Sequence, residues 1–136
     1  MATHGPHIRL TLREGVEFGP GKAQLLEGIR NTGSIAAAGR RMKMSYSRAW
    51  GLVETMNTEF RAPLVASAKG GASHGGAVLT ALGHQVLACY RRMEASAARA
   101  VAEDLAELRR NASASRRGTA PLLTSRAEGM QKNKKR

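Results

Sequence analysis

Residues 33 to 60 read GSIAAAGRRMKMSYSRAWGLVETMNTEF, and this stretch decides the fold. Ser34 is a good N-cap for a short helix over Ile35 to Met42, which is Ala-rich and so strongly helix-forming. Ser45 caps a second predicted helix that runs to about Phe60. Along it Tyr46, Ala49, Trp50, Val53, Met56 and Phe60 recur at spacings of three and four, which builds one apolar face and assigns Trp50 to the core. Ser47, Arg48, Gly51 and Thr55 lie on the opposite side, with Arg40, Arg41 and Lys43 just upstream. A small-residue helix, a tight turn and a helix with a polar, basic leading end form the pattern of a helix-turn-helix. In a basic protein that pattern points to DNA.

Upstream, HIRLTLREGVEF alternates, with Ile8, Leu10 and Leu12 on one face and Arg9, Thr11 and Arg13 on the other. Glu14-Gly15 is a turn signal, so a short hairpin closing at Val16 to Phe18 is expected. Pro20 suits the first turn of the next helix, which buries Ala23, Leu25, Leu26 and Ile29 and stops at Asn31-Thr32-Gly33. Downstream, Pro63 bounds the second helix of the motif. Leu64 to Ala68 and Ala77 to Thr80 then read as two strands joined by a glycine-rich tip. A hairpin directly after a recognition helix is a wing, whose glycines permit close approach to a backbone. Lys69, Gly70, Gly71 and His74 are its candidate DNA contacts.

From Thr80 to about Asn111 one long helix is expected. Leu82, Val86, Tyr90, Met93, Ala97, Val101, Leu105 and Leu108 form its apolar stripe. The stripe runs well past what a small three-helix core can cover. A second copy of the same helix is the economical partner, because a two-fold dimer pairs identical surfaces. The expected fold is therefore mainly α with small β-hairpins. A winged helix-turn-helix spans residues 8–79, with the helix-turn-helix at about 34–60 and the wing at about 64–80. A flexible leader, 1–7, precedes it; a long dimerisation helix, 80–111, and a disordered basic tail, 112–136, follow.

Charge supports a polyanionic partner but must be apportioned. The 136 residues carry 22 Lys and Arg against 10 Asp and Glu, a formal +12. From Arg109 onward there are nine Lys and Arg against one Glu, a net +8, which leaves +4 for the rest. Inside the domain the local balance counts for more: Arg40, Arg41, Lys43, Arg48, Arg61 and Lys69 face only Glu54 and Glu59 between residues 31 and 74. A basic tail adds salt-sensitive affinity for any DNA sequence.

Other chemistries find little support. The glycine-rich segment lacks the Gly-Lys-Ser/Thr of a phosphate-binding loop. His4 and His7 have no second ligand pair at metal spacing, so no metal is expected. The single cysteine, Cys89, excludes an intramolecular disulfide, fits a reducing cytoplasm and reads as a packing residue. No catalytic constellation stands out, so an enzyme is not expected. No apolar run approaches the ~20 residues of a membrane span and no signal peptide is seen, which makes a cytoplasmic protein the expectation.

The basic motif then assigns roles. Ser45, Ser47 and Arg48 open the helix whose N-terminal end enters the major groove, and Arg48 is the candidate for bidentate guanine readout. Ser34, Arg40, Arg41 and Lys43 are candidates for phosphate, and Tyr46 for phosphate through its hydroxyl.

GPGKAQLLEGIRNTGSIAAAGRRMKMSYSRAWGLVETMN, followed by HGGAVLT and a long helix, resembles the N-terminal domain of ModE-type molybdate-responsive transcriptional regulators. The features that carry it are Leu25-Leu26, Gly33-Ser34-Ile35, Ser45-Tyr46 with Ala49-Trp50, Met56-Asn57, and Val78-Leu79-Thr80 after the glycine-rich loop. The resemblance covers roughly residues 8 to 105. It implies a LysR-like winged helix-turn-helix that binds a palindromic operator in double-stranded DNA as a homodimer and regulates molybdenum-related genes. Residue by residue, Ser45 to Arg48 would form the DNA-reading end and Lys69 to Gly76 the wing. Full-length members bind molybdate in small C-terminal β-barrel domains, and nothing after Asn111 would form one. A stand-alone DNA-binding version without a cofactor is the expectation. The turn between the helices usually carries glycine where this chain has Lys43. Two other readings stand beside it: a non-specific nucleoid or RNA-binding protein, and an oxyanion sensor holding molybdate or tungstate at the dimer interface or glycine-rich loop.

Overall fold

In the computed structural model, residues 5–68 and 76–114 are described. Residues 1–4 of the expected leader, the wing tip from 69 to 75, and the tail from 115 onward lie outside the described residues. Two units are distinguished, Met1–Val101 and Ala102–Arg136.

The first unit opens with β1 (Leu10–Arg13) and β2 (Val16–Phe18), antiparallel, with Leu10 opposite Phe18 and a register irregularity between Thr11 and Arg13. Gly15 turns the hairpin at φ 81°, a conformation that suits glycine. Helix α1 (Pro20–Thr32) starts on its proline and ends on Gly33, left-handed at φ 75°, whose N–H returns to the Ile29 carbonyl at 2.8 Å. Its buried face is the expected Ala23, Leu25, Leu26 and Ile29, joined by Gly28.

Small residues let the next two helices close on it. A Cβ on Gly28 would stand 2.9 Å from the Ala38 Cβ of α2 (Ile35–Arg41). A Cβ on Gly39 would stand 2.9 Å from the Ala49 Cβ of α3 (Tyr46–Glu59). Both distances are too short for a methyl group, so each glycine is required by packing. Val53 and Met56 continue the buried side of α3. β3 (Val65–Ala68) and β4 (Gly76–Leu79) form a second two-stranded sheet, with Val65 opposite Leu79 and Ala68 opposite Gly76.

Helix α4 (Ala81–Ala100) is capped by Thr80, whose Oγ1 accepts from the Gly83 N–H at 3.0 Å and donates to the Pro63 carbonyl at 2.8 Å. The cap therefore also anchors the helix to the base of the β3–β4 hairpin. Glu27 on α1 takes Arg91 of α4, which is held in turn by Glu94 at 2.7 Å. Burial pulls the Arg91 guanidinium towards deprotonation, but hydrogen bonds to Glu94 and Glu27 outweigh it and keep it above the usual arginine range.

Two expectations are corrected. Tyr90 belongs to the core, not to a free helix face: it is 2% exposed, stacks edge-on against Phe18 at 5.2 Å, and donates its hydroxyl to the Ile8 carbonyl at 2.6 Å. Leu82 and Val86 also lean on that core. The single helix expected to Asn111 is two helices. α4 ends at Val101, at φ −104° and ψ 9°, and α5 (Ala102–Asn111) forms in the second unit. α5 opens with Glu103 and Asp104 and closes with Arg109 and Arg110, the charge order that suits a helix of its own. The apolar repeat passes through Val101 unbroken, so periodicity carried no sign of the stop.

Candidate nucleic-acid interface

The interface is built from three pieces of backbone. Ser34 caps α2 by accepting from the Ala37 N–H at 3.0 Å, and Ser45 caps α3 by accepting from the Arg48 N–H at 3.1 Å. Each hydroxyl spends an acceptor on its cap and keeps its proton to donate outward. Between the helices Lys43 stands at φ 59°, in the left-handed region, with its N–H on the Arg40 carbonyl and the Met44 N–H on the Gly39 carbonyl, both at 3.0 Å. A lysine there costs about 1–2 kcal/mol that glycine would avoid.

This turn sets the leading end of α3 next to the last turn of α2 in sequence and exposes both. Arg40, Arg41, Lys43, Ser45, Tyr46, Ser47 and Arg48 are all exposed, and Ser34 is half-buried. Among the described residues none of Arg40, Arg41, Lys43 and Arg48 is held in an ion pair, and the first turn of α3 has no acidic residue. Glu59, at the far end of α3, is bonded to Lys22 at 3.0 Å. The result is four uncommitted cations beside the positive end of a helix. Lys69, Gly70, Gly71 and His74 lie outside the described residues.

The wing is tied to the recognition helix at its root. Asn57 of α3 accepts from the Leu64 N–H at 2.8 Å and the Val65 N–H at 3.1 Å, and its Nδ2 donates to the Val65 carbonyl at 3.0 Å. On the other strand the Ala77 N–H donates to the Gly33 carbonyl at 2.9 Å. The wing is thus fixed both to α3 and to the junction ahead of α2.

Trp50 corrects the sequence expectation. It is 43% exposed, not core, and Tyr46, one turn earlier, is 56% exposed. The row Ala49, Val53, Met56 suffices to face the interior, and Trp50 falls about 100° round the helix from Ala49. Spacings of three and four admit both rows, and only the smallness of Ala49 against α2 hints which one is inside. Tyr46, Trp50 and Glu54 instead wall a groove whose other side is Ala66, Ser67 and Gly76 of the wing.

The expected dimer residues divide. Met93, at 40%, and Val101, at 36%, are exposed on α4, and Ala97 is half-buried. In the second unit Leu108 is 67% exposed and Leu105 half-buried. Cys89, expected to pack, is exposed beside Leu10, Leu12, Val86 and Met93, in a wholly apolar depression. Among the described residues no three His, Cys, Asp or Glu side chains converge on a metal position, and no helix is long and apolar enough to cross a membrane. Of the two places expected for an oxyanion, the glycine-rich loop from 69 to 75 lies outside the described residues.

Known proteins share this fold and part of this sequence. A crystal structure of the CbnR DNA-binding domain in complex with DNA superposes with a TM-score of 0.51 over 65% of this chain and 95% of that one, at 24% identity. The molybdenum-pterin-binding protein MopB of Rhodobacter capsulatus is 44% identical over 87 residues, which is 64% of this chain and 32% of that protein. The DNA-binding transcriptional dual regulator ModE of Escherichia coli K12 is 34% identical over 83 residues, 61% of this chain and 32% of that protein. Over these residues the chain is similar in sequence to the N-terminal third of ModE-type regulators. No family model matches it. The chain spans about a third of the length of the curated relatives it matches. The winged helix inferred from Gly33-Ser34-Ile35, Ser45-Tyr46 and Val78-Leu79-Thr80 is therefore the fold this segment adopts.

Proposed function

We propose that this chain is a sequence-specific, DNA-binding transcriptional regulator of molybdenum-related genes, acting without catalysis. The observation that carries the reading is the exposed cationic turn from Arg40 to Arg48, in no ion pair among the described residues, at the leading end of a capped helix inside a winged fold. Such a helix end enters the major groove, where the Arg48 fork suits the O6 and N7 of guanine. Arg40, Arg41 and Lys43 supply phosphate contacts that hold the register, and the wing lies alongside over the next groove.

The chain acts as a two-fold dimer on an inverted repeat. Exposed Met93 on α4, beside Leu12 in an apolar depression, and exposed Val101 at the cap of that helix leave apolar surface that another copy covers. Two equivalent reading helices then require two equivalent half-sites. The molybdenum link rests on the relatives' names, and it is the genes beside the selected sites that decide it.

Genome-fragment selection with the purified protein tests the whole reading. One enriched inverted repeat, retained against excess random DNA, is the expected outcome. Binding that random competitor abolishes, with no enriched sequence, points instead to a nucleoid-type protein.

A further inference from the structure

We infer that Gly51 is a specificity-determining position of α3, its bare Cα seating the 5-methyl group of a thymine; this rests on the DNA-binding reading above. Glycine in a helix interior weakens the helix relative to alanine, so each one calls for a reason. Three helical glycines have theirs inside the fold. An added Cβ would stand 2.9 Å from the Ala38 Cβ at Gly28, 2.9 Å from the Ala49 Cβ at Gly39, and against the Leu64 carbonyl oxygen at Gly83. Gly21 would meet nothing, but it follows Pro20 in the first turn of α1, where the helix ladder has yet to form. Gly51 is different. It lies inside α3, it needs no left-handed φ, and a Cβ there would meet nothing within 4 Å. Neither packing nor backbone conformation within the chain requires it. The reason that is left is an outside surface that comes closer to the backbone than a methyl group allows.

Its place on the helix says what that surface is. Gly51 falls about 200° round α3 from buried Ala49, on the side turned away from the core. Ser47 and Thr55, one turn before and one turn after, are exposed with it. As a mid-helix residue Gly51 has its N–H and C=O engaged in the helix ladder, so it offers a base edge C–H surface and no hydrogen bond. Of the groups that base pairs show in the major groove, the one apolar group is the thymine methyl. The Ser47 and Thr55 hydroxyls bracket the gap along the same face, and either can donate to the thymine O4 beside that methyl. Alanine at 51 would fill the space the methyl takes.

The test pairs a methyl added to the protein with a methyl removed from the DNA. The full chain and its Gly51→Ala variant are titrated by anisotropy with labelled duplexes carrying the selected inverted repeat, in which each thymine is replaced in turn by uracil. Gly51→Ala should melt at a higher temperature than the parent, because nothing inside the fold opposes its Cβ, yet bind the repeat about tenfold more weakly and random DNA within about twofold. At one thymine position in each half-site, uracil should weaken the parent severalfold and restore most of the variant's lost affinity. Parent-like affinity of Gly51→Ala for the repeat overturns the inference and leaves DNA binding intact, as does a thymine scan in which no position compensates the alanine. A lower melting temperature for the variant overturns it too, by showing that the glycine serves the fold. A parent that binds the repeat no better than random DNA overturns both readings.

Discussion

Asn57 of α3 and Val65 of the wing hold each other through two hydrogen bonds, amide to carbonyl at 3.0 Å and N–H to side-chain oxygen at 3.1 Å. With the Leu64 N–H as a third partner, one carboxamide satisfies three backbone groups at the point where the chain leaves α3. It therefore sets where the wing stands relative to the helix, a constraint neither element supplies alone.

Asn57→Ala removes that clamp and leaves part-buried backbone groups unpaired. A loss of about 2–3 kcal/mol in stability is expected, since an unmade buried hydrogen bond costs more than a made one contributes. Thermal unfolding checks the magnitude. Hydrogen exchange checks the place: Leu64 and Val65 should lose protection while α1 keeps its own. Uniform loss across all helices would mean the residue is only a general stabiliser.

Arg48 makes a sharper distinction. Arg48→Ala should weaken binding to the selected repeat by ~1–3 kcal/mol and leave binding to random DNA nearly unchanged. Its N–H stays on Ser45 Oγ, so the cap and the helix survive the substitution. Equal losses on both DNAs would move Arg48 from base readout to phosphate contact.

Lys43 sits at the junction of stability and binding. Lys43→Gly relieves the left-handed lysine, and about 0.5–1 kcal/mol of added stability is expected once the freer unfolded chain is counted. The same change deletes a cation from the turn, so DNA affinity should fall and the salt dependence should flatten by about one charge. A higher melting temperature with weaker binding in one variant is the combined signature. Unchanged salt slope would remove Lys43 from the contact set.

Much of this was legible in the residues, for identifiable reasons. The caps Ser34 and Ser45, the stop at Gly33 and the alternation at Ile8 to Leu12 are local signals, and the backbone follows them. Trp50 and Tyr90 were misplaced because helical spacing says which residues share a face, not which face wins the core. That choice fell to small residues, Ala49 against Gly39 on α2, and to the reach of the Tyr90 hydroxyl to Ile8 across the fold. The clamp from Asn57 to Val65 has no local signal for the same reason: an amide near a helix end looks like any solvated polar residue until the wing folds back onto it. The stop at Val101 sat inside an unbroken apolar stripe, and only the acidic pair Glu103 and Asp104 marked a new start.

The assembly surface follows from what Tyr90 leaves over. With Tyr90, Leu82 and Val86 turned to their own core, Met93 is the exposed centre of the apolar face on α4. If the chain pairs through this face as proposed, Met93→Glu should sediment as a monomer at micromolar concentration where the parent sediments as a dimer, with helix content unchanged, and should lose binding to the full repeat while half-site affinity persists. A Met93→Glu protein that sediments as the parent does would send the search for the interface elsewhere.

Tyr90 itself yields a prediction at alkaline pH. Burial, seconded by the Glu94 charge, raises its phenol above the ordinary value of 10.0, because the folded core disfavours a phenolate. The unfolded chain ionises first, so stability is retained below about pH 10 and falls as pH rises towards the higher folded value, beyond which it levels off. Tyr90→Phe should cost about 1 kcal/mol near neutrality, from the lost bond to the Ile8 carbonyl. Above pH 10 the variant should lose stability less steeply than the parent, since it has no phenol to ionise. Denaturant midpoints for the two proteins at pH 8 and pH 11 measure both effects, and parallel losses would show that the hydroxyl is not the group that titrates.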